Sequence, residues 1–248
     1  PPSRAAILLV QLGTPDKPEV PEVRRYLREF LTDRRVVEQS PLIWWPILYS
    51  MVLTRRPKES AEKYRAIWTK AGSPLLVNTK LAAEALQDEL NKRGRQVEVV
   101  WAMRYGNPSM VEALRDLRDR GFSRIVVLPM YPQYSAATSG TVFDVIAREF
   151  LQWRSIPALR FLQSFHDDPG YIAAVAESIR HFWRQSEAGK PEKLIFSFHG
   201  LPQRCVDQGD PYVKQCQESA ALIAAALGLA KEDWLLSFQS RFGREEWV

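Results

Sequence analysis

Short runs of apolar, mostly β-branched residues alternate along the chain with longer segments whose apolar positions recur at helical spacing. In the first half, such runs occupy residues 7–10, 97–101 and 125–129 and predict strands. The first two runs are followed by turns that contain glycine, and then by helices that we predict over residues 22–31 and from Ser109 onward. Ser109 and Glu112 have the spacing of a capping box, which supports the start of the second helix.

The same alternation continues in the second half of the chain. Apolar runs at residues 194–198 and 234–238 predict two further strands. Two helices are predicted from apolar stripes: Ile172, Val175, Ile179 and Phe182 in one, and Val213, Cys216, Ala220, Ile223 and Leu227 in the other. Continuously apolar strands separated by helices are typical of a parallel sheet covered on both faces, so we predict an α/β fold.

An internal repeat indicates two similar α/β halves. The turn Gly13-Thr14-Pro15 resembles His199-Gly200-Leu201-Pro202, and further on Arg104-Tyr105-Gly106 resembles Gln239-Ser240-Arg241-Phe242-Gly243. We place the halves at residues 1–165, including an apolar segment at 42–53, and at residues 166–248. The third strand of the first half begins 28 residues after the second, and the same step from Trp234 falls beyond Val248. The second half is therefore expected to be incomplete.

Composition and charge narrow the class of protein. The 248 residues are 46% hydrophobic and 25% charged, which is typical of a globular chain. The net charge of +5 is spread along the sequence, so we expect no nucleic-acid partner. Two cysteines do not make a disulfide framework, and the start of the chain has no signal-peptide pattern. The longest apolar stretch is too short to span a membrane, and we expect a cytoplasmic protein.

Of the three histidines, His199 is the best placed for chemistry. It ends a predicted strand and precedes Gly200, and parallel sheets form their binding sites at the carboxyl ends of strands. From position alone, a core histidine bonded to the backbone is an equally good interpretation. His166 is expected in a solvated loop, and His181 on the exposed face of a helix.

Aromatic residues are numerous, and several stand in predicted turns. Tyr131, Tyr134, Tyr212 and Trp247 either close the edge of a core or stack on a wide, flat, apolar ligand. Residues 42–53 include Trp44, Trp45 and Tyr49 and are flanked by arginines, which fits either a buried helix or an exposed amphipathic lip. Cys205 has no activating partner in the sequence and Cys216 lies on a buried stripe, so both are interpreted as structural.

Seven short motifs, in order along nearly the whole chain, resemble those of the ferrochelatases, which insert Fe²⁺ into protoporphyrin IX. They are Leu12-Gly13-Thr14-Pro15, Gly72-Ser73-Pro74-Leu75, Met103-Arg104-Tyr105, Tyr131-Pro132-Gln133-Tyr134-Ser135, Ser197-Phe198-His199-Gly200-Leu201-Pro202, Gly209-Asp210-Pro211-Tyr212 and Gln239-Ser240-Arg241-Phe242-Gly243-Arg244-Glu245-Glu246-Trp247. Each motif is weak alone, but seven in family order are specific. The pattern is most similar to that of bacterial members.

The resemblance implies two Rossmann-like halves, with parallel sheets flanked by helices and the porphyrin in the cleft between the halves. It implies that His199 is the catalytic residue, either as a metal ligand or as the base that takes pyrrole protons. Six positions are implied to bind the porphyrin: Leu12, Arg104, Tyr105, Tyr131, Tyr212 and Trp247. Residues 42–53 match the family's hydrophobic lip, which implies peripheral contact with a membrane.

Two departures from the family pattern bear on the expected chemistry. The family's second metal ligand, a glutamate, is expected beyond Val248, so a protein ending there should not insert iron even if it binds porphyrin. Ala136 stands where some members have a cysteine that binds an iron–sulfur cluster, so a cluster has no support here. Fe²⁺ is then expected only as a substrate.

The expected reaction explains why such residues are needed. Two inner N–H protons of the porphyrin must leave as iron enters, and a neutral imidazole can accept a proton or bind Fe²⁺. The product would be protoheme, at the last step of heme biosynthesis. Two alternatives remain open: a chelatase for another metal or tetrapyrrole, which metal preference would reveal, and a binding module without catalysis, which would bind porphyrin without metallating it.

Overall fold

Two parallel sheets organise the chain, and each belongs to a separate compact unit. The structure is a computed structural model that describes residues 4–187, 189–241 and 245–248. One unit comprises the chain up to Met130 together with Ala136–Gln163, and the other comprises Tyr131–Ser135 and Ser164–Val248. The predicted α/β fold is confirmed. The prediction of two repeated halves, at residues 1–165 and 166–248, stays a prediction.

The first unit contains a four-stranded parallel sheet flanked by helices. Its strands lie in the order β2-β1-β3-β4. They are β1 (Arg4–Thr14), β2 (Val97–Gly106), β3 (Phe122–Pro129) and β4 (Ala158–Phe161). The helices are α1 (Val20–Leu31), α2 (Pro41–Ile47), α3 (Leu53–Ile67), α4 (Pro74–Lys92), α5 (Met110–Asp119) and α6 (Thr141–Phe150). A π-helical turn, Leu48–Val52, joins α2 to α3, and another, Ala136–Gly140, precedes α6.

The second unit contains a two-stranded parallel sheet and three α-helices within the residues that the structure describes. The strands are β5 (Leu194–His199) and β6 (Trp234–Gln239). The helices are α7 (Pro169–Gln185), α8 (Gln203–Asp207) and α9 (Tyr212–Leu227), and a short 3₁₀-helix, Lys231–Asp233, precedes β6.

Burial along β1 explains its continuous apolar run. The strand lies between β2 and β3, and Leu8, Leu9 and Val10 are all buried. A central parallel strand has no solvent face and therefore does not alternate between apolar and polar residues. The predicted cap of α5 is also present, since the Glu112 amide donates to the Ser109 hydroxyl.

The core of the second unit corrects one prediction from the apolar stripes. Ile172 of α7 packs with Phe196 of β5 and with Ala220 and Ile223 of α9, as the stripes predict. Phe182, placed in the same stripe as Ile172, is 69% exposed. It lies in the last turn of α7, past the part of the helix that packs on this core.

A close backbone approach occurs at the carboxyl end of the first strand of each sheet, at the two glycines that the internal repeat matches. Gly13 has φ +116°, and a Cβ atom there would lie 1.7 Å from the Tyr105 carbonyl oxygen on β2. At Gly200 the amide donates to the Gln239 carbonyl, and a Cβ atom would lie 3.0 Å from that oxygen. The second repeat match includes Phe242 and Gly243, which lie outside the described residues, as does Arg244 of the last family-like motif.

Candidate functional site

His199 is the last residue of β5 and is paired in register with Gln239 of β6. Its side chain stands at the carboxyl end of a parallel strand, where the chain leaves the sheet. The residue is exposed, whereas Gly200 beside it is buried. The predicted position of His199 at a strand end is therefore confirmed, and its catalytic role stays a prediction.

The His199 ring has a fixed proton arrangement. Nδ1 lies 2.7 Å from the Gly200 carbonyl oxygen, and a carbonyl oxygen can only accept a hydrogen bond. Nδ1 therefore carries the proton in the neutral ring, and Nε2 keeps its lone pair. A backbone carbonyl that holds one ring nitrogen in this way is the usual arrangement for a histidine that binds a metal or accepts a proton through the other.

Trp247 lies beside the loop that follows His199. The chain near Val248 returns to this loop, because Gln203 N donates to Glu246 O and Val248 N donates to Leu201 O. The Trp247 ring centroid is 6.4 Å from that of His199. Its buried Nε1–H finds no hydrogen-bond acceptor among residues 4–187, 189–241 and 245–248. The structure thus brings together two residues that the sequence analysis singled out separately.

Tyr212 begins α9 and is held by Asp210. One Asp210 oxygen accepts from the Tyr212 amide at 3.0 Å, and the other accepts from the Ser135 hydroxyl at 2.9 Å. Burial raises the pKa of the Tyr212 phenol well above its usual range, although a hydrogen bond to the His199 backbone lowers it. The phenol therefore stays protonated at neutral pH and contacts the same strand end as the candidate catalytic histidine.

Tyr131 begins a turn, residues 131–135, and hydrogen bonds that involve side chains link this turn to α9. Gln133 Nε2 donates to the Ser219 hydroxyl at 2.8 Å, and that hydroxyl donates to the His166 carbonyl at 2.7 Å.

The His166 ring lies 2.8 Å from a Glu218 oxygen and is buried. The prediction of a solvated loop for His166 is wrong, because α9 covers this residue. His181 is exposed, as predicted.

In the first unit, Arg104 and Tyr105 end β2 as neighbours and share one carboxylate. Asp33 Oδ2 accepts from Arg104 Nη2 and from the Tyr105 hydroxyl, the latter at 2.9 Å. Burial raises the pKa of Tyr105 far above its usual range, so its hydroxyl is a donor at any physiological pH. Leu12 of β1 is half-buried and packs on the same core cluster as Tyr105. These three predicted porphyrin residues thus lie in one unit.

The apolar segment at residues 42–53 is helical and partly exposed. It comprises most of α2, the π-helical turn and the first residue of α3. Leu48 and Leu53 are buried, and Trp44 donates from Nε1 to the Leu31 carbonyl at 2.7 Å. The other large apolar side chains are exposed: Leu42, Ile43, Trp45, Ile47, Tyr49 and Met51. Of the two interpretations, the exposed amphipathic lip is the one that agrees with the structure.

Cys216 is expected to resist alkylation at pH 8. Burial raises the pKa of its thiol to about 12, so almost none of it is thiolate, the reactive form. Cys205 is half-buried and is the internal comparison. In single Cys→Ser variants treated with iodoacetamide, mass spectrometry should show Cys216 reacting at least about a hundredfold more slowly than an exposed thiol. Labelling of Cys216 as fast as a free cysteine would contradict its burial on α9.

Asp33 and Asp210 are the site residues that the sequence analysis missed. Asp210 lies in the quoted motif Gly209-Asp210-Pro211-Tyr212, where an aspartate two residues before a helix start could have indicated a cap. Asp33 has no such local signal. Within the described part of the chain, no three or more His, Cys, Asp or Glu side chains group to hold a metal ion, and no helix is long and apolar enough to cross a membrane.

Comparison with known proteins agrees with these motifs. A family model described as Ferrochelatase matches residues 4–248. A ferrochelatase of Methylococcus capsulatus is 53% identical over 99% of this chain and 74% of its own length. A ferrochelatase of Aromatoleum aromaticum is 50% identical over 100% of this chain and 67% of its own length. Ferrochelatase 2 of Shewanella oneidensis is 48% identical over 99% of this chain and 74% of its own length. On the motifs, the fold and these similarities together, the chain belongs to the ferrochelatase family of ferro-lyases.

Proposed function

We propose that this protein, as the full-length chain, inserts Fe²⁺ into protoporphyrin IX and releases protoheme, the last step of heme biosynthesis. The observation that carries the proposal is the state of His199 at the end of β5. Its Nδ1–H is bound to the Gly200 carbonyl, so that Nε2 offers a lone pair from an exposed ring. A neutral imidazole held in this way suits proton transfer and the binding of iron.

In the proposed reaction, His199 Nε2 accepts protons from the pyrrole nitrogens or holds the incoming metal. Fe²⁺ replaces two N–H protons, so both protons must leave the porphyrin before or while the four nitrogens bind iron. A single imidazole accepts one proton at a time and must release it before accepting another. Because His199 is exposed, its proton can pass to water between the two transfers.

Six other residues are proposed to contact the porphyrin. Tyr131, Tyr212 and Trp247 present aromatic rings in the second unit, and Tyr212 and Trp247 both contact the chain around His199. Leu12, Arg104 and Tyr105 lie in the first unit. Aromatic and apolar side chains can hold a macrocycle away from planarity and so expose its nitrogen lone pairs to the metal. An arginine can bind a propionate or polar ring edge.

Replacement of Trp247 by alanine should weaken porphyrin binding. Loss of one aromatic face costs about 1–3 kcal/mol, which corresponds to roughly 5- to 150-fold in Kd. A fluorescence titration with protoporphyrin IX measures this change. Trp153→Ala is the matched control, because Trp153 lies against Phe150 in the first unit and is not a proposed porphyrin residue. If the Trp247 and Trp153 variants both bind like the wild type, Trp247 does not contact the porphyrin.

We further propose that the protein acts on the cytoplasmic side of a membrane and contacts it through the exposed lip at residues 42–53. Protoporphyrin is poorly soluble in water, so a surface contact would give access to it. Leu42, Ile43 and Trp45 are 89%, 61% and 50% exposed, respectively. An amphipathic helix with an exposed apolar face binds at the lipid–water interface. Full burial of each large apolar side chain there contributes about 1.5–3 kcal/mol to the free energy of binding.

Changing Leu42, Ile43 and Trp45 together to serine should lower co-sedimentation with liposomes by at least about tenfold. A matched triple variant changes Leu81, Leu151 and Ile156, which are also exposed in the first unit but lie outside the lip. The control should sediment like the wild type. Equal loss in both triple variants would show that the binding is not specific to the lip.

A further inference from the structure

Asp33 lies just after α1, outside every motif of the candidate site, and 71 residues before Arg104. The turn that contains it is ordered by its own backbone, since the amides of Val36 and Val37 both donate to the Asp33 carbonyl. Asp33 Oδ1 accepts from the Arg35 amide at 2.9 Å. Hydrogen bonds within this turn therefore orient the Asp33 carboxylate independently of its contacts with β2.

The other Asp33 oxygen accepts hydrogen bonds from both Arg104 and Tyr105. The Arg104 and Asp33 side chains are only 9% and 10% exposed, so the pair is almost removed from water. The Arg104 guanidinium also lies over the Tyr105 ring, 4.3 Å from its centroid. One carboxylate oxygen therefore sets the orientation of two adjacent side chains and compensates the charge of one of them.

A second contact completes the restraint on Arg104. Its Nε donates to the carbonyl of Thr141, the first residue of α6, at 3.0 Å. With Nε and Nη2 bound, Nη1 is the guanidinium nitrogen that has no acceptor within the described residues. Arg104 thus has one donor edge left for a ligand, and its positive charge is already balanced by Asp33.

We propose that Asp33 is a positioning residue for iron insertion: it holds Arg104 and Tyr105 in the orientation in which they contact the porphyrin. The inference rests on the proposed function, because it assumes that Arg104 and Tyr105 touch this substrate. Asp33 acts only through those two side chains. A misplacement of about 1 Å in a positioned group can cost roughly a hundredfold in rate.

The matched control comes from another buried carboxylate of the same unit. Glu149 binds the Arg115 guanidinium through two hydrogen bonds of 2.9 and 3.0 Å, and its own side chain is buried. Neither residue is part of the candidate site. Glu149→Gln therefore removes the charge of a buried carboxylate that binds an arginine, and lowers stability without touching Arg104 or Tyr105.

The test measures kcat and KM for iron insertion by the intact protein and the variants Asp33→Asn, Tyr105→Phe, Asp33→Asn with Tyr105→Phe, and Glu149→Gln. Asp33→Asn should lower kcat/KM about 10- to 100-fold, and Glu149→Gln less than about threefold at equal thermal stability. The loss in the double variant should be smaller than the product of the two single losses, because both changes act on the same hydrogen bond between Tyr105 and Asp33. Independent, multiplying losses, or equal losses in Asp33→Asn and Glu149→Gln, would overturn the proposal.

Two further measurements test the role of Asp33 even if a variant folds poorly or if the protein does not insert iron. Adding Asp33→Asn to a variant that carries both Arg104→Gln and Tyr105→Phe removes the remaining buried charge, and should leave the activity of that double variant unchanged because both partners of Asp33 are already lost. The NMR signal of the Arg104 Nη2–H, which binds Asp33, needs no substrate: this hydrogen should exchange slowly in the wild type and in Glu149→Gln, and rapidly in Asp33→Asn. Failure of the wild type to insert iron would refute the proposed function, whereas an unchanged Arg104 signal would refute the role of Asp33.

Discussion

Replacing His199 by alanine should remove iron insertion and leave the fold intact. A positioned general base contributes about 10²- to 10⁴-fold in rate, so kcat should fall by at least a hundredfold. His199 is exposed, and its ring makes one hydrogen bond, to the next residue in the chain. Its loss should therefore leave the thermal unfolding midpoint nearly unchanged. Absorbance assays of protoheme formation and circular dichroism measure the two effects.

The other two histidines supply controls with opposite expectations. His181 is exposed on α7, so His181→Ala should change neither activity nor stability. His166 is buried against Glu218, and His166→Ala should cost about 1–3 kcal/mol of stability by removing a buried hydrogen bond. If His199→Ala keeps activity within tenfold of the wild type while its fold is normal, His199 is not the catalytic residue.

Gly13→Ala should be among the most destabilising single changes in the first unit. The φ of +116° is strained for any residue with a Cβ atom, and that atom would lie 1.7 Å from the Tyr105 carbonyl oxygen. Gly13 and Tyr105 are partners in the β1–β2 register, so the two strands would have to separate there. We expect a loss above about 3 kcal/mol, seen as a large drop in the urea midpoint.

Gly94→Ala separates the effect of backbone angle from that of the close approach. Gly94 also has positive φ, +66°, but a Cβ atom there would meet nothing within 4 Å. Its substitution should cost only about 1–2 kcal/mol, the usual penalty for a left-handed residue. Equal destabilisation by the two substitutions would show that the contact between Gly13 and Tyr105 is relieved without cost.

Periodicity predicts those elements of the fold whose apolar residues form runs or stripes. β1, β2, β3, β5 and β6 were all predicted in this way. β4 was missed because it has only four residues, with Arg160 in the middle. α4 was missed for another reason: its fully buried positions are Thr79 and Ala83, and small or polar residues leave no apolar stripe in a sequence.

The residues of the candidate site also fall into two groups: those that local sequence predicts, and those that depend on contacts with residues far away in the chain. His199 was found because a strand end and a following glycine are both visible in the sequence. Asp33 was not, because its partners Arg104 and Tyr105 lie 71 and 72 residues away and no local pattern encodes that pairing. The prediction of a solvated loop for His166 is wrong because this residue is buried against Glu218, which lies 52 residues further along the chain. Contacts between distant elements decide such positions, and they follow only from the packed fold.

We expect the full-length protein to convert protoporphyrin IX and Fe²⁺ to protoheme. The direct measurement is an anaerobic assay of the full-length protein with both substrates, which follows the loss of porphyrin fluorescence and the appearance of the protoheme spectrum. Protoheme should form in proportion to protein concentration, well above the protein-free rate, and its formation should be lost in His199→Ala. Tight binding of porphyrin with no protoheme above the protein-free rate would contradict it and favour a binding module. A preference for another metal would favour a different chelatase.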